Sequence, residues 1–203
     1  MIQLKTILFE HIEKYKMKKI LAFAGSNSSQ SINQQLIVST SNLIDFSQVD
    51  VINLRDYSVH MFGVDVEAEE GLPSKMIELR DLISTYDGYI ISTPEHNSMP
   101  PAFFLNIIDW LSRIDRSIFG NKPTLVMSTS PGPRAGISAL KILENTLPRF
   151  GADVVGAYAF PSFNDNLKDS VIHNEEELEK IKTQLSILAI TFAEQVTIPY
   201  SKF

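Results

Sequence analysis

The sequence contains no cysteine. That excludes disulfides, thiolate metal sites and cysteine nucleophiles, and it fits a cytoplasmic protein. Histidine is sparse: His11, His60, His96 and His173 are scattered along the chain. They give a metal centre no cluster of ligands to start from, and no metal is expected. Positive charge is short as well, with 18 Lys and Arg against 24 Asp and Glu and a formal net charge of -6. Nucleic-acid binders usually carry a basic excess, so no nucleic-acid partner is expected. No apolar run approaches the ~20 residues that a helix needs to cross a bilayer, so no membrane partner is expected. The Gly-x-Ser-x-Gly elbow of serine hydrolases is missing. The first apolar run also lacks the acidic pair that a phosphoryl receiver needs for its metal. Repeats, low-complexity tracts and long linkers are missing too.

What remains is an ordinary globular composition, 44% hydrophobic and 21% charged over 203 residues. A chain of that length can bury a substantial core and reads as one domain. In the opening stretch "MIQLKTILFEHIEKYKMKKI", Glu10, Glu13 and several lysines interrupt any apolar core of a signal peptide. Ile2, Leu4, Ile7, Leu8 and Ile12 could form one face of a short helix. Alternatively residues 1–16 are an upstream extension, and "MKKILAFAGS", from Met17, is the natural beginning. The expected division is an extension over 1–16 with no assigned role, and a single domain over 17–203.

From Met17 onward, apolar runs alternate with helical spacing. "KILAFA", "DVINL", "GYIIS", "PTLVMST" and "ADVVGAYA" read as strands. Their short, continuous apolar character suits buried parallel strands. Between and after them, "INQQLIVSTSNLI", "PSKMIELRDLIS", "AFFLNIIDWLSRI", "GISALKILENTLPRF" and "NEEELEKIKTQLSILAITFAEQ" carry helical spacing. Pro73 suits a first helical turn. Asn174 followed by Glu177 is a capping-box arrangement. Repeated βα alternation implies an α/β fold: a parallel sheet with helices on both faces, a three-layer sandwich. With right-handed crossovers the expected order is the flavodoxin-like 2-1-3-4-5.

In such a sheet, ligands bind beyond the carboxyl ends of the strands. Three loops gather there. The first, "GSNSSQSIN", offers the hydroxyls of Ser26, Ser28, Ser29 and Ser31 and the amide of Asn33. Gly25 permits a tight turn and a close ligand approach. The helix that follows, opened by Ile32, adds unpaired N–H groups and a positive dipole end. Together these suit a phosphate. The same hydroxyls could instead do no more than cap the helix.

The second loop is "STPEHNSMPP". Pro94, Pro100 and Pro101 restrict both of its ends. Glu95, His96, Asn97 and Ser98 would present backbone amides and one flat ring, which suits a planar cofactor such as a flavin. An imidazole is the side chain suited to proton transfer at physiological pH, which makes His96 the candidate catalytic acid or base. It could equally be a surface histidine beside a solvated Glu95. Phe103 and Trp110 read as core.

The third loop is "STSPGPRAGISAL". Thr129, Ser130, Gly132 and Gly136 allow backbone and hydroxyls close to a ring edge. Arg134 is a fixed positive fork for the anionic reduced form of such a ring or for a nucleotide phosphate, or an ordinary surface arginine.

"AGSNSSQSIN", "PEHNSMPPAFFLNIIDWLSR" and "STSPGPRAG" resemble the NADPH-dependent FMN reductase family, which includes quinone, azo-dye and chromate reductases. Pro94, Glu95, Asn97, Pro101, Asn106, Asp109 and Trp110 fall in register with the family's second motif. The resemblance implies a flavodoxin-like fold, bound FMN, and NADPH or NADH as electron donor. It implies a small acceptor such as a quinone or free flavin, and a homodimer or homotetramer. It also implies that Ser26, Ser31 and Asn33 hold the FMN phosphate, and that Pro94 to Asn97, with Ser130 and Gly132, line the ring. The chain departs from the family pattern at Ser28 (usually arginine), His96 (tyrosine), Leu105 (lysine) and Pro133 (glycine). The rival expectation is an FMN-binding electron carrier or redox sensor that never oxidises NAD(P)H directly.

Overall fold

The structure, a computed structural model, describes residues 18–196. The expectations for residues 1–16 lie outside it. Five parallel strands form the main sheet: β1 (Lys19–Ala24), β2 (Gln48–Val51), β3 (Gly88–Thr93), β4 (Lys122–Thr129) and β5 (Ala152–Phe160). Their order is β2-β1-β3-β4-β5, the flavodoxin-like order expected from the alternation of elements.

Side chains alternate across each strand, and both faces are covered. Leu21 and Phe23 of β1, Tyr89 and Ile91 of β3, and Val126 of β4 enter one core. Ile20, Ala22, Ala24, Ile90, Leu125 and Met127 enter the other. On the first face lie α3 (Ser74–Ser84), α4 (Ala102–Ile114) and α5 (Ile137–Thr146); on the second lie α1 (Ile32–Ser41) and the long closing helix α7 (Glu175–Val196). Two-sided cover explains why β3 is buried at every position, as its unbroken apolar run requires.

The sequence pattern passed over some elements. Helix α2 (Val64–Glu70) buries no residue, so no apolar face marks it. A 3₁₀ turn spans Leu54–Tyr57. After β5 come the one-turn α6 (Phe163–Asn166) and a two-residue hairpin, β6 (Leu167–Lys168) and β7 (Val171–Ile172). Pro73 occupies the N-cap of α3 rather than its first turn.

At α7 only half of the capping box forms. Asn174 Oδ1 accepts from the N–H groups of Glu176 and Glu177, at 3.0 and 3.2 Å. The Glu177 carboxylate does not turn back. It is buried, accepts the Tyr158 hydroxyl, and takes Lys180 Nζ at 2.9 Å. A phenol under β5 competes better for it than a single exposed amide.

Trp110 is fully buried, as expected, and its ring has a second task. Its indole N–H and the Asn106 side-chain amide both donate to the His60 carbonyl at 3.0 Å. Asn106 Oδ1 in turn accepts from Phe62 N at 2.7 Å. Asn106 and Trp110 of α4 therefore pin the segment that follows β2.

Candidate active site

The loops after β1, β3 and β4 meet at the carboxyl edge of the sheet, and two polar side chains, one buried and one half-buried, hold them there. Asn33, 2% exposed, sits in the first turn of α1. Its Oδ1 accepts from Ser92 Oγ (2.7 Å) at the end of β3 and from Thr129 N (3.1 Å) at the end of β4. Its Nδ2 donates to the Thr129 carbonyl at 3.2 Å. The side chain expected to face a phosphate is thus spent on bracing. Glu95 is the second brace. Its Oε2 accepts from Ser138 N (2.8 Å) and Ala139 N (3.1 Å), in the first turn of α5. A carboxylate at that position satisfies orphan amides and the positive helix end. What Glu95 can offer a ring is its backbone.

In the first loop, three of the four serine hydroxyls accept from an amide two or three residues ahead. Ser26 Oγ accepts from Ser28 N, Ser28 Oγ from Gln30 N, and Ser31 Oγ, the N-cap of α1, from Gln34 N. These turns wind the loop around its own backbone. The hydroxyl protons then remain for an acceptor outside it, because a hydroxyl can donate while it accepts. The N–H groups of Ile32 and Asn33, in the first turn of α1, donate to no acceptor among the described residues.

The second loop makes a tight turn. His96 and Met99 exchange backbone hydrogen bonds of 2.9 and 3.0 Å across Asn97 and Ser98. Both central residues have positive φ, 50° and 65°. That double left-handed turn leaves His96, Asn97 and Ser98 exposed beyond Pro94. In the third loop, Thr129 Oγ1 donates to the Phe160 carbonyl (2.8 Å), and Ser130 Oγ donates to the Gly132 carbonyl (3.2 Å). Ser162 N donates back to Gly132 O at 3.1 Å, so this loop is fastened to the end of β5.

A cavity of about 160 Å³ opens against the first loop. Ser26, Ser28, Ser29 and Ser31 line it, facing Asn53 and Arg55 from the segment after β2 and Ser170 from the β6–β7 turn. Pockets that enclose a whole drug-sized ligand run to ~300–1,000 Å³, so this one suits a phosphate group rather than an entire nucleotide. Its lining includes nothing from 94–97 or 129–132. Apart from the buried Thr129, those stretches are partly or fully exposed and form an open shelf. Arg134 lies elsewhere: it borders a second cavity with Tyr158, Glu177 and Lys180, and its Nη2 donates to Ser138 Oγ at 3.3 Å. Burial and the Glu177 carboxylate push the Tyr158 phenol well above the ordinary range. Sequence reasoning missed Arg55, Asn53 and Ser170, which reach this cavity from the edge of the sheet and from beyond β5. Among the described residues no cluster of acidic or histidine side chains could hold a metal ion. No helix there is long and apolar enough to cross a membrane.

Residues 18–165 match the family model described as NADPH-dependent FMN reductase. The chain belongs to that family. A quinone reductase of Escherichia coli (strain K12) is 37% identical over 78 residues, 38% of this chain and 42% of that one. The match therefore spans less than half the length of that relative. A quinone reductase of Pseudomonas putida is 31% identical over 130 residues, covering 63% of this chain and 68% of the other. Among solved structures, FerB, a flavoenzyme NAD(P)H:(acceptor) oxidoreductase from Paracoccus denitrificans, superposes with a TM-score of 0.69 at 22% identity. That superposition covers 86% of this chain and 96% of FerB, a likeness of fold.

The residues present fit the cofactor of this family at its phosphate end. Serine hydroxyls and one arginine line a cavity of phosphate size, next to the N-terminal turn of α1. The shelf formed by 94–97 and 129–132 is open enough for a flat ring to lie against exposed backbone.

Proposed function

We propose that this member of the family binds FMN and passes electrons from NADPH or NADH to a small acceptor such as a quinone or free flavin. The observation that carries this reading is the bracing of the three loops by Asn33 and Glu95. It sets a phosphate-sized, hydroxyl-lined cavity beside the partly exposed backbone of residues 94–97 and 130–132. When bound, FMN supplies the chemistry that lets a two-electron donor and a separate acceptor react in turn at one place.

The protein's own tasks are to bind, orient and exclude. Ser26, Ser28 and Ser31, with the amides of Ile32 and Asn33, would hold the phosphate. Pro94 to Asn97, together with Thr129, Ser130 and Gly132, would present backbone to the ring edge. His96 stands exposed on its turn, where its imidazole can donate a proton to an oxygen of the acceptor. A homodimer or homotetramer belongs to the same reading and is checked by light scattering.

The test is a titration of the flavin-stripped full chain with FMN, followed by mixing with NADPH or NADH without oxygen. Tight binding and rapid bleaching are expected. Binding without bleaching would identify an electron carrier or redox sensor instead. His96→Phe is expected to lower quinone turnover and flatten its pH profile while leaving bleaching intact. Unchanged turnover would remove His96 from the reaction.

A further inference from the structure

A phosphate monoester carries a charge of about -1.5 to -2 near neutral pH. The helix dipole of α1 offsets only about half a charge, and hydroxyls supply dipoles without net charge. The chain adds -6 of its own. Part of the charge of a phosphate held against the first loop is therefore left for a cation of the protein to offset. Among the residues lining that cavity, Arg55 alone carries a charge.

Its backbone is held in place. Arg55 N donates to Asn53 Oδ1 at 3.1 Å, and Leu54 beside it is 1% exposed. On its other side the Asp56 carbonyl accepts Lys75 Nζ at 2.7 Å. The guanidinium itself is uncommitted: no carboxylate pairs with it among the described residues. By contrast, Arg80 is held by Asp81 and Arg113 by Glu67. An anchored backbone carrying a free planar fork, beside hydroxyls with protons to donate, is the arrangement that receives a phosphate oxygen pair.

We infer that Arg55 is the countercharge for the phosphate of the bound flavin nucleotide, and hence the residue that makes this protein prefer a 5′-phosphorylated flavin to riboflavin. The inference rests on the FMN reading above and names a residue outside the loop to which the sequence assigned the phosphate. Arg55 follows the edge strand β2 and reaches the cavity across the top of the sheet.

The experiment measures dissociation constants for FMN and for riboflavin by flavin fluorescence, using the flavin-stripped full chain. It compares the wild type with Arg55→Gln, Arg55→Lys and the control Arg116→Gln. Arg116 is exposed just past the end of α4, on the opposite edge of the sheet. The wild type is expected to bind FMN at least about tenfold tighter than riboflavin. Arg55→Gln is expected to lose about tenfold or more in FMN affinity while riboflavin stays within about twofold. Arg55→Lys should recover part of the loss, and Arg116→Gln should change neither ligand. Inorganic phosphate should compete with FMN in the wild type and less well in Arg55→Gln.

If the wild type prefers FMN and Arg55→Gln keeps that preference, the assignment of Arg55 fails while the FMN reading stands. If Arg55→Gln weakens FMN and riboflavin equally, Arg55 acts through the fold and the assignment fails. If the wild type binds both flavins alike, or neither, the FMN reading fails and takes the assignment with it. If Arg55→Gln does not fold, Arg55→Lys decides: weaker FMN binding with riboflavin unchanged supports the assignment, and unchanged FMN affinity or an equal loss of both flavins overturns it.

Discussion

Asn33→Ala is expected to lower stability by about 3 kcal/mol, at ~1–3 kcal/mol for each buried polar group left without its partner, and to weaken FMN binding with it. Three such groups are involved. Ser92 Oγ loses its acceptor at 2.7 Å, Thr129 N its acceptor at 3.1 Å, and Thr129 O its donor at 3.2 Å. The site is 2% exposed, so bulk water does not replace the amide freely, although a trapped water recovers part of the cost. For a chain of this size, roughly 2–4 °C per kcal/mol predicts a melting temperature lower by about 6–12 °C. Asn27→Ala, in the same loop but exposed, should cost no more than about 0.5 kcal/mol. The flavin effect follows from geometry: without the brace, the first turn of α1 is no longer held against the ends of β3 and β4. An Asn33→Ala protein that melts within 2 °C of the wild type (about 1 kcal/mol or less) would sink this account of Asn33.

How far the sequence was legible follows from the kind of signal each feature leaves. β1, β3 and β4 are buried on both faces and appear as unbroken apolar runs, so their parallel arrangement could be read directly. Helix α4 has an apolar stripe and was bounded correctly from Ala102 to Ile114. Helix α2 buries nothing, and β6 and β7 are two residues each, so periodicity had nothing to act on. The three loops at the carboxyl edge could be picked out because serine, glycine and proline there leave local signatures. What escaped was the division of labour among their residues. Asn33 and Glu95 look like ligand contacts on a sequence line. In the fold they bond to partners 96 and 43 residues away. Arg55 was missed for the same reason: it joins the first loop only through the order β2-β1-β3-β4-β5. Long-range polar pairing has no period and leaves no mark in a single sequence.

Gly25→Ala is the second change with a large expected effect. The sequence suggested a glycine there so that a ligand could come close. In the fold the space beside it belongs to the protein. A Cβ on Gly25 would stand 2.5 Å from Cγ and Cδ1 of Phe104, and 3.0 Å from its Cβ. Phe104 cannot easily yield: it is 1% exposed and packs edge-on against Phe23 with ring centroids 6.3 Å apart. Nor can Gly25 retreat without breaking the 2.8 Å hydrogen bond from its N–H to the Ser92 carbonyl. Overpacking of this kind costs about 1–3 kcal/mol. Because Ser26 follows directly, the strain is relieved by moving the phosphate loop, so FMN affinity should fall together with stability. The steric cause is separable. Phe104→Leu alone should cost about 1–2 kcal/mol, since it removes part of a buried ring. In the Gly25→Ala/Phe104→Leu protein the smaller side chain makes room for the new methyl. The two changes should then cost less together than their sum, with a coupling of about 0.5–3 kcal/mol. Urea midpoints of the four proteins give that coupling. Strict additivity would mean that Gly25 is needed for something other than the close approach of α4, and the ligand would again be the first candidate.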